Sequence, residues 1–549
     1  MLNSHLTVLK ASAALYPSSP AFKTPQLDAS LNNTVEEWRS ISYAQFLADV
    51  ETSARYWTRM FKTRAIPDRS VIGLWIGGFT YTDALHVYGI SRAGYIPQLF
   101  SLRLPNPEII YELLDQANAK ALIYDSTVFA NLDGCSLPTY QASFPEESNA
   151  NGSLADIALG ENDLAFIFHT SGSTSGSPKL VPCSYGWLNG VVLKSGKVSH
   201  PGASGRQDVT VWMGSMCHIG QSFMLIGSLQ HGGCVIQPTA ISFSSEELID
   251  MVLRCGLNRL NQFAPFLAVH LRKSRSDVKL LSVLSELDEV LYSGLPLPHD
   301  EELWAYKNGI LLKNLFGSTE CGAMLLSIGG KGTNSPLLRP IEGVSYEFRP
   351  VTPANVEVSY QSTAMLFELV ILANSVDCPH ASLRHPDGGF HTGDLFQEIA
   401  PGSYVFRGRD DDWIKSENSL RCDTKAIEDN VRTMCGTLVT ECVVVGSGRP
   451  SPVMFVEPAG DMDKENLKKE IIRKTRQFHS RRYIHERITS TKMIVVVPPE
   501  TLPRTATKGN VRRKAVEETF KTQLDQIYGA PIESDYHNGS ISAITLINS

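Results

Sequence analysis

The sequence contains no C-x-x-C pair, although it has ten cysteines. Scattered cysteines are typical of reduced thiols in a cytosolic protein and argue against a disulfide framework or a zinc site. No apolar run reaches the ~18 residues of a transmembrane helix. Residues 1–20 lack the basic start and long apolar core of a signal peptide. We therefore expect a cytoplasmic protein that does not bind membranes.

Positive charge is also scarce, because 50 lysines and arginines face 57 aspartates and glutamates and leave a formal net charge of −7. Nucleic-acid-binding proteins usually carry a basic surface, so we expect no nucleic-acid partner. The basic stretch 468–482 is an exception. Its apolar residues fall at helical spacing and predict an amphipathic helix, whose basic residues form the solvated face. A chain of 549 residues is too long for one core.

Apolar strands and amphipathic helices alternate from about residue 160, as in "DVTVWMGSM", "GQSFMLIGSLQHGG" and "CVIQP". This alternation predicts parallel sheets covered by helices. The stretch "SSEELIDMVLRCG" predicts a helix opened by a capping box between Ser244 and Glu247. Residues 340–405 are richer in strands and predict a small β subdomain. We expect an α/β fold with a large N-terminal domain and a small α/β C-terminal domain.

A loop rich in serine, threonine and glycine follows a short apolar strand in "FIFHTSGSTSGSPKLVP", residues 166–182. Such a loop turns N–H groups and hydroxyls toward one point, which suits a phosphate chain, and Lys179 adds a positive charge. An ordinary surface turn is the alternative. The Walker pattern G-x-x-x-x-G-K-[ST] does not fit, because three residues separate Gly172 from Gly176 and Ser177 and Pro178 precede the lysine.

Further stretches follow this loop in order: "NLFGSTECG" (314–322), "HTGDLF" (391–396), "GRDDDWIKSENSLRCDTKAIE" (408–428) and "PRTATKGNVRRK" (503–514). The series resembles the adenylate-forming superfamily of acyl-CoA synthetases, nonribosomal peptide synthetase adenylation domains and luciferases. The residues of these motifs are most similar to those of adenylation domains of fungal nonribosomal-synthetase-like carboxylic acid reductases. The resemblance implies that a carboxylic acid attacks the α-phosphate of ATP, forming an acyl-adenylate and releasing pyrophosphate.

The resemblance also implies how ATP and Mg²⁺ are held. Thr319 would bind the α-phosphate and Glu320 would ligate Mg²⁺, a hard ion that favours oxygen ligands. The β- and γ-phosphates would be held by Thr170, Ser171, Gly172, Ser173, Thr174, Gly176 and Lys179. The remaining nucleotide-binding residues would be Phe316 near the adenine, Gly317, Asp394 on the ribose hydroxyls and Arg409 at the domain junction.

The family's offsets from these motifs imply a pocket for the acid, in which His218 would orient the carboxylate. The implied lining is His218, Ile219, Gly220, Phe223, Gln262, Leu291, Ser293, Gly294, Leu315, Ala323 and Met324. Relatives that activate α-amino acids carry an aspartate where Ile219 stands. An ammonium group facing Ile219 would lose hydration without an opposite charge. We therefore expect an aromatic or otherwise apolar acid without an α-amino group.

The resemblance divides the chain into an N-terminal adenylation core, residues 1–408, and a mobile C-terminal domain, residues 409–549, hinged at Asp411. Three departures from the family pattern matter. The usual glycine and arginine after the hinge appear as Asn418 and Leu420, with Arg421 one place later. Ser175 lengthens the phosphate loop by one residue. Asn510 stands where the family carries its catalytic lysine; we assign that role to Lys508, with Lys514 on the following helix as the alternative.

The acceptor of the activated acid is left open by the sequence. Only 35 residues follow Lys514, and they contain no G-G-x-S segment that could carry a phosphopantetheine arm. We expect the thiol of coenzyme A, or the phosphopantetheine of a carrier domain on another chain or on a removed continuation. An acid:CoA ligase is therefore an alternative function. A nucleotide-binding regulatory protein with impaired catalysis is the non-enzymatic alternative, which Asn510 favours.

Overall fold

The computed structural model of the chain describes residues 2–28, 34–128, 132–143, 154, 158–170, 178–202, 205–351, 365–410, 413–415, 421–480, 482, 486–504 and 511–529. The chain divides into two compact units, Met1–Arg407 and Gly408–Ser549. All ten cysteines are free thiols. Among the described residues, no helix is both long and apolar enough to cross a membrane.

Strands of the first unit form two sheets. In chain order they are β1 (Pro20–Asp28), β2 (Thr34–Ser42), β3 (Val71–Ile76), β4 (Ile96–Ser101), β5 (Ala121–Tyr124), β6 (Thr139–Gln141), β7 (Leu164–Thr170), β8 (Lys179–Ser184), β9 (Val209–Val211), β10 (Cys234–Ile236), β11 (Arg259–Phe263), β12 (Glu289–Ser293), β13 (Leu312–Ser318), β14 (Gly322–Ser327), β15 (Leu338–Pro340), β16 (Tyr346–Pro350), β17 (Leu366–Ile371), β18 (Phe390–Ala400) and β19 (Ser403–Arg409).

Helices of the first unit cover these sheets. They are α1 (His5–Leu15), α2 (Tyr43–Lys62), α3 (Tyr81–Arg92), α4 (Pro107–Gln116), α5 (Tyr185–Val198), α6 (Ile219–Gln230), α7 (Ser245–Asp250), α8 (Ala264–Lys273), α9 (Val278–Glu286) and α10 (His299–Lys307). A π-helix, Met251–Cys255, extends α7. The N-cap Ser244 accepts the Glu247 N–H as predicted, but the Glu247 carboxylate accepts hydrogen bonds from Thr239 instead of completing a capping box.

The smaller sheet has the order β6-β5-β3-β4-β7-β8 and is parallel except for the β7–β8 hairpin. All six residues of β3, "VIGLWI", are buried, as expected for a parallel strand that is covered on both faces. The larger sheet has the order β16-β17-β18-β19-β15-β14-β13-β12-β11-β9-β10-β1-β2. Strands β1 and β9 to β13 are parallel where they pair, which confirms the predicted sheet type.

The strand-rich region from residue 338 onward, strands β15 to β19, continues the larger sheet from β14 by antiparallel pairing. It is therefore hydrogen-bonded to the parallel strands. The predicted mixture of parallel sheets and a small β region is confirmed.

Three buried clusters of the first unit matter for the site. The central core contains side chains of both sheets, α1, α2, α3, α5 and α6, among them Phe168, Val191 and Phe223. The outer core lies around α8 and α9 and contains Leu260 and Tyr292. The β core lies among β14 to β18 and contains Met324, Leu369 and Phe396.

The second unit is built around the sheet β22-β23-β24. Its elements are β20 (Trp413–Lys415), β21 (Arg421–Asp423), α11 (Thr424–Cys435), β22 (Val439–Val445), β23 (Val453–Pro458), α12 (Lys464–Ser480), β24 (Ile494–Val496), α13 (Arg513–Thr519) and α14 (Lys521–Gly529). Helix α12 buries Leu467, Ile471, Thr475 and His479 on one face, and its lysines and arginines are exposed or half-buried, as expected for a solvated face.

Candidate active site

The predicted phosphate loop connects the two strands of the β7–β8 hairpin. Thr170 pairs directly with Lys179 at the loop end of the hairpin, and the Lys179 side chain is exposed. Five further predicted phosphate ligands, Ser171, Gly172, Ser173, Thr174 and Gly176, lie outside the described residues. The structure therefore places the two ends of the loop side by side.

His169 anchors the strand that leads into this loop. Its ring stacks on Phe100 with centroids 4.4 Å apart, and its Nδ1 lies 3.0 Å from the Leu99 carbonyl oxygen. Burial lowers the pKa of His169 to about 4, so the ring is neutral at pH 7. A neutral, hydrogen-bonded ring fixes Thr170 at the end of the strand without adding charge to the site.

Thr319 and Glu320 lie in the tight turn that joins β13 to β14. Both side chains are half-buried, and the turn is closed by a hydrogen bond from the Cys321 N–H to Ser318 Oγ of 3.3 Å. Within the described part of the chain, no side chain forms a hydrogen bond or ion pair with the Glu320 carboxylate. A half-buried carboxylate of this kind fits a Mg²⁺ ligand, since hard cations take oxygen ligands.

Gly317 belongs to the same hairpin, and the structure explains why glycine is needed there. A Cβ atom at Gly317 would lie 2.5 Å from the Gly322 carbonyl oxygen. The neighbouring ring of Phe316 packs on Phe396 and Phe406, with centroids 5.2 Å and 5.0 Å away. Phe316 thus forms part of an aromatic group beside the turn.

Asp394 lies in β18 and is 6% exposed. Its N–H donates to Thr392 Oγ1 at 3.0 Å, and the Thr392 hydroxyl donates to the Leu369 carbonyl oxygen at 2.8 Å. Gly393 between them has a φ of +68°, in the left-handed region that favours glycine. The "TGD" turn therefore has a fixed backbone in front of the predicted ribose ligand.

Five of the predicted acid-pocket residues meet in the central core. Ile219 and Phe223 come from α6, Leu291 from β12, Leu315 from β13 and Ala323 from β14. His218 is the N-cap of α6, and its exposed ring accepts the Gly220 N–H at Nδ1. Ser293 is half-buried, and its hydroxyl donates to the Leu315 carbonyl oxygen at 2.7 Å. Gly294, with a φ of +89°, is exposed at the end of β12.

Two predicted lining residues lie elsewhere. Gln262 is paired in register with Tyr292, which belongs to the outer core, and strand alternation places both side chains on that face. Met324 belongs to the β core. The structure therefore does not bring Gln262 and Met324 together with Ile219, because one residue along a strand reverses the side-chain direction.

Phe263 is a pocket residue that the sequence analysis missed. Its ring lies 5.5 Å from the His218 ring in an edge-to-face arrangement and packs against the central core. Cβ atoms at Gly214 and Gly294 would lie 2.6 Å and 3.1 Å from this ring. The strand period of "RLNQF" offered a signal, since Leu260 and Gln262 share one face and Phe263 the other.

In the second unit, Arg409 is exposed at the end of β19 and Lys514 is exposed on α13, the predicted helix. Asp411, Lys508 and Asn510 lie outside the described residues. The two sides of the segment that carries Lys508 are joined, because Arg504 and Val511 form a β-bridge and the Arg512 N–H donates to the Pro503 carbonyl oxygen.

The fold is that of a two-unit α/β protein, in which Thr319, Glu320 and Asp394 all lie on the large unit. Comparisons with known proteins identify the family. The sequence model for the AMP-binding enzymes matches residues 9–347, and the model for their C-terminal domain matches residues 411–531. The chain belongs to the AMP-binding enzymes, and the resemblance to the adenylate-forming superfamily is confirmed.

Individual relatives agree with this assignment. The chain is 35% identical over 523 residues to the AMP-binding domain-containing enzyme iboA of Amanita muscaria, covering 92% of this chain and 99% of the relative. It is 22% identical to the adenylate-forming reductase Nps10 of Heterobasidion annosum, matching 94% of this chain but only 49% of that protein.

A solved structure shows the same fold. It is the o-succinylbenzoate CoA synthetase of Bacillus subtilis in complex with its acyl-adenylate intermediate. It superposes with a TM-score of 0.70 at 15% identity over 94% of this chain and 98% of its own.

Proposed function

We propose that the protein activates a carboxylic acid without an α-amino group by adenylation and transfers the acyl group to a thiol. One observation carries the proposal: the predicted metal ligand and the predicted acid pocket adjoin. Gly322 lies two residues after Glu320, and a Cβ atom there would lie 3.7 Å from Phe223 and 3.9 Å from Ile219. The acid and the phosphates would therefore meet at one turn.

The chain's own residues then have distinct tasks in adenylation. A carboxylate oxygen of the acid attacks the α-phosphorus of ATP, a P–O bond forms, and the bond to pyrophosphate breaks. Both reactants are anionic, so Lys179 at the mouth of the phosphate loop and Lys508 offset their repulsion. Thr319 holds the α-phosphate, Asp394 holds the ribose and His218 orients the acid. Mg²⁺ held by Glu320 would neutralise phosphate charge.

The proposed substrate is an apolar acid because the pocket's inner wall is apolar. Ile219 and Phe223 are 5% and 1% exposed and offer no charge to an ammonium group. An unpaired buried polar group costs roughly 1–3 kcal/mol, and more if it is charged. Since 1.36 kcal/mol is one decade in rate, α-amino acids should be disfavoured about tenfold or more.

ATP–pyrophosphate exchange with a panel of acids tests this proposal. Phenylpyruvate, cinnamate and benzoate should support exchange better than phenylalanine at matched concentrations. An α-amino acid as the best substrate would contradict the proposed pocket, and no exchange with any acid would favour the nucleotide-binding regulatory alternative.

Substitution of Ile219 separates charge from shape in the same assay. Ile219→Asp places a carboxylate against an apolar or anionic acid, so turnover of the preferred acid should fall. The asparagine of Ile219→Asn has nearly the same shape as aspartate but no charge, so this variant should lose less turnover than Ile219→Asp. Equal losses in the two variants would indicate a packing defect and would remove the argument from charge.

The acceptor is proposed to be coenzyme A or the phosphopantetheine of a carrier domain. The similar solved structure is a CoA synthetase and the similar Nps10 is a reductase, and each supports one acceptor. Incubation of the acyl-adenylate with coenzyme A, and separately with a carrier domain, distinguishes an acid:CoA ligase from a carrier-dependent enzyme. We also propose a cytoplasmic location, which the ten free cysteines support.

A further inference from the structure

Lys194 of α5 is a buried lysine for which the proposed chemistry has no use. Its side chain is 1% exposed, and its ammonium group donates to the carbonyl oxygens of Cys321 at 2.7 Å and Ala323 at 2.5 Å. The third partner is Asp377 Oδ2 at 2.5 Å. An ammonium group has three donors, and all three are used. Two of them hold the main chain directly after Glu320.

The hairpin needs these donors because its register is irregular. Gly317 pairs with Ala323 and Phe316 pairs with Leu325, so the chain carries an extra residue on the β14 side at this point. A bulge disrupts the ladder and leaves backbone groups that need other partners. Lys194 supplies the donor for the Ala323 carbonyl oxygen at this bulge.

A second residue of α5 also bonds the main chain of this turn. The Trp187 Nε1–H donates to the carbonyl oxygen of Glu320 itself at 2.9 Å. Trp187 and Lys194 are seven residues apart, so they lie on one face of the helix, two turns apart. The carbonyl groups of Glu320, Cys321 and Ala323 are therefore all bonded to α5.

The ion pair with Asp377 fixes the position of the Lys194 ammonium group. Asp377 is fully buried and also accepts hydrogen bonds from the Tyr346 hydroxyl and from Ser375 Oγ. Helix α5 lies unusually close to this segment, because a Cβ atom at Gly190 would lie 2.3 Å from the Val376 carbonyl oxygen. Each oxygen of the carboxylate has a partner, which a buried charge requires. The lysine therefore has a single position.

Helix α5 also begins at the phosphate-loop hairpin. Its N-cap is Ser184, the last residue of β8, and Lys179 opens that strand. Strand β8 and helix α5 thus follow one another along the chain from the end of the phosphate loop to the residues that bond the turn of Glu320.

We propose that Lys194 is a positioning residue, which through the main chain of residues 320–323 holds the Glu320 carboxylate in place for the divalent cation of the bound nucleotide. The inference rests on the proposed function, in which Glu320 ligates Mg²⁺. Groups that orient metal ligands typically change metal affinity or activity about 10–100-fold when they are removed.

The test compares ATP binding by calorimetry with Mg²⁺ and in excess EDTA, for the wild type and Lys194→Met. Methionine keeps the length of the side chain and removes the donors. The gain in ATP affinity that Mg²⁺ provides should fall about tenfold, while metal-free ATP affinity changes little. In pyrophosphate exchange, the Mg²⁺ concentration for half-maximal rate should rise while the KM for the acid stays the same.

Lys197→Met is the matched control. Lys197 lies on the same helix, but its Nζ bonds Glu342 at the surface, where both side chains are exposed. This variant should behave as the wild type does. Trp187→Phe removes one donor to the turn and should shift Mg²⁺ dependence in the same direction as Lys194→Met, by a smaller factor. Circular dichroism shows whether Lys194→Met folds. If it does not, the Mg²⁺ dependence of Trp187→Phe tests the inference in its place.

Unchanged Mg²⁺ dependence in a folded Lys194→Met, or in Trp187→Phe should the first variant not fold, would overturn the inference. An equal loss of ATP affinity with and without the metal would overturn it as well, because it would indicate general loosening of the fold. Failure of the proposed function is seen separately, since it would appear as wild-type protein that binds ATP and Mg²⁺ but exchanges pyrophosphate with no acid.

Discussion

At the scale of single residues, a small cavity of the first unit is lined by buried polar groups. Its walls include His5, Tyr88 and Ile219, and its volume of about 20 Å³ is enough for about one water molecule. Within the part of the chain that the structure describes, neither ring nitrogen of His5 nor the Tyr88 hydroxyl has a hydrogen-bond partner. Burial lowers the pKa of His5 to about 3, so the ring is neutral. The cavity adjoins the proposed acid pocket through Ile219.

Removal of the Tyr88 hydroxyl should therefore leave stability unchanged or raise it. The Tyr43 hydroxyl is also buried but donates to the Gly233 carbonyl oxygen at 2.7 Å, so Tyr43→Phe is the matched comparison. That variant should lose about 1 kcal/mol of unfolding free energy, the usual contribution of one hydrogen bond. Urea denaturation of both variants measures the difference, and equal losses would mean that Tyr88 has a partner in solution.

The residue scale also shows where reasoning from motifs ends. The "NLFGSTECG" stretch carries Thr319 and Glu320 as neighbours in one turn, so their proximity depends on no long-range alignment. Gln262 was assigned by its offset from a distant motif, and the strand puts Phe263 on the pocket face instead. A one-residue error in an offset reverses the face of a strand completely.

At the scale of elements, β16, β17 and β18 are joined by a charged group. His391 of β18 lies 3.1 Å from Glu368 of β17 through Nδ1 and 3.1 Å from Asp387 through Nε2. Arg349 of β16 also approaches, with its NH1 atom 2.9 Å from Asp387 and 3.3 Å from His391 Nε2. Although burial lowers it, hydrogen bonds and attraction from the two carboxylates raise the pKa of His391 above its usual 6.5.

This raised pKa predicts a pH dependence of stability. A histidine whose pKa is higher in the folded state contributes stability that is fully present below about pH 6.5 and is lost as the pH rises through the folded value. The melting temperature of His391→Gln should therefore fall furthest below the wild type in mildly acidic buffer and approach it at alkaline pH. His380→Gln is the control, because the hydrogen bond of His380 is with the Ser382 hydroxyl and not with a carboxylate. A constant difference across pH 5.5–8.5 would contradict the prediction.

The segment between β24 and α13 carries the second element-scale prediction. Its ends are joined at Arg504 and Val511, and Arg504 is paired with the buried Glu457. Lys514 lies beyond this closure on α13, so it moves only with the helix. We expect Lys508→Ala to lower adenylate formation about 100- to 1000-fold, as the loss of one preorganised charge typically does, and Lys514→Ala to have little effect. The opposite pattern would assign the role to Lys514.

Periodicity predicted most of these elements but not their details. The capping serine of α7 was predicted from sequence, whereas the π-helix that follows and the use of Glu247 by Thr239 depend on tertiary contacts. In the same way, the strands of residues 340–405 were predicted, but their continuity with the parallel sheet was not. Pairing between distant strands is set by the whole core and leaves no local pattern.

At the scale of the whole molecule, the chain consists of two units whose boundary follows Arg407. The predicted boundary after residue 408 and the hinge at Asp411 come from the family resemblance. The C-terminal family model begins at residue 411. Lys508 belongs to one unit and Glu320 to the other, so adenylation as proposed uses residues of both units. We propose, as the family resemblance implies, that thiol transfer uses a second pose of the C-terminal domain.

Restricting the backbone at the hinge should therefore separate the two half-reactions. Proline fixes φ near −65° and removes an N–H donor, so Asp411→Pro should hinder the rotation that precedes thiol transfer. In Asp411→Pro, pyrophosphate exchange should be retained to a greater extent than thioester formation. Asp410→Pro, one residue earlier, is the control that tests whether the effect belongs to position 411. The two rates are measured on one preparation, by exchange and by single-turnover transfer to coenzyme A or a carrier domain. Equal loss in both half-reactions would point to a defect in folding or nucleotide binding and would place the hinge elsewhere, because a proline that only blocks rotation leaves the adenylating pose intact.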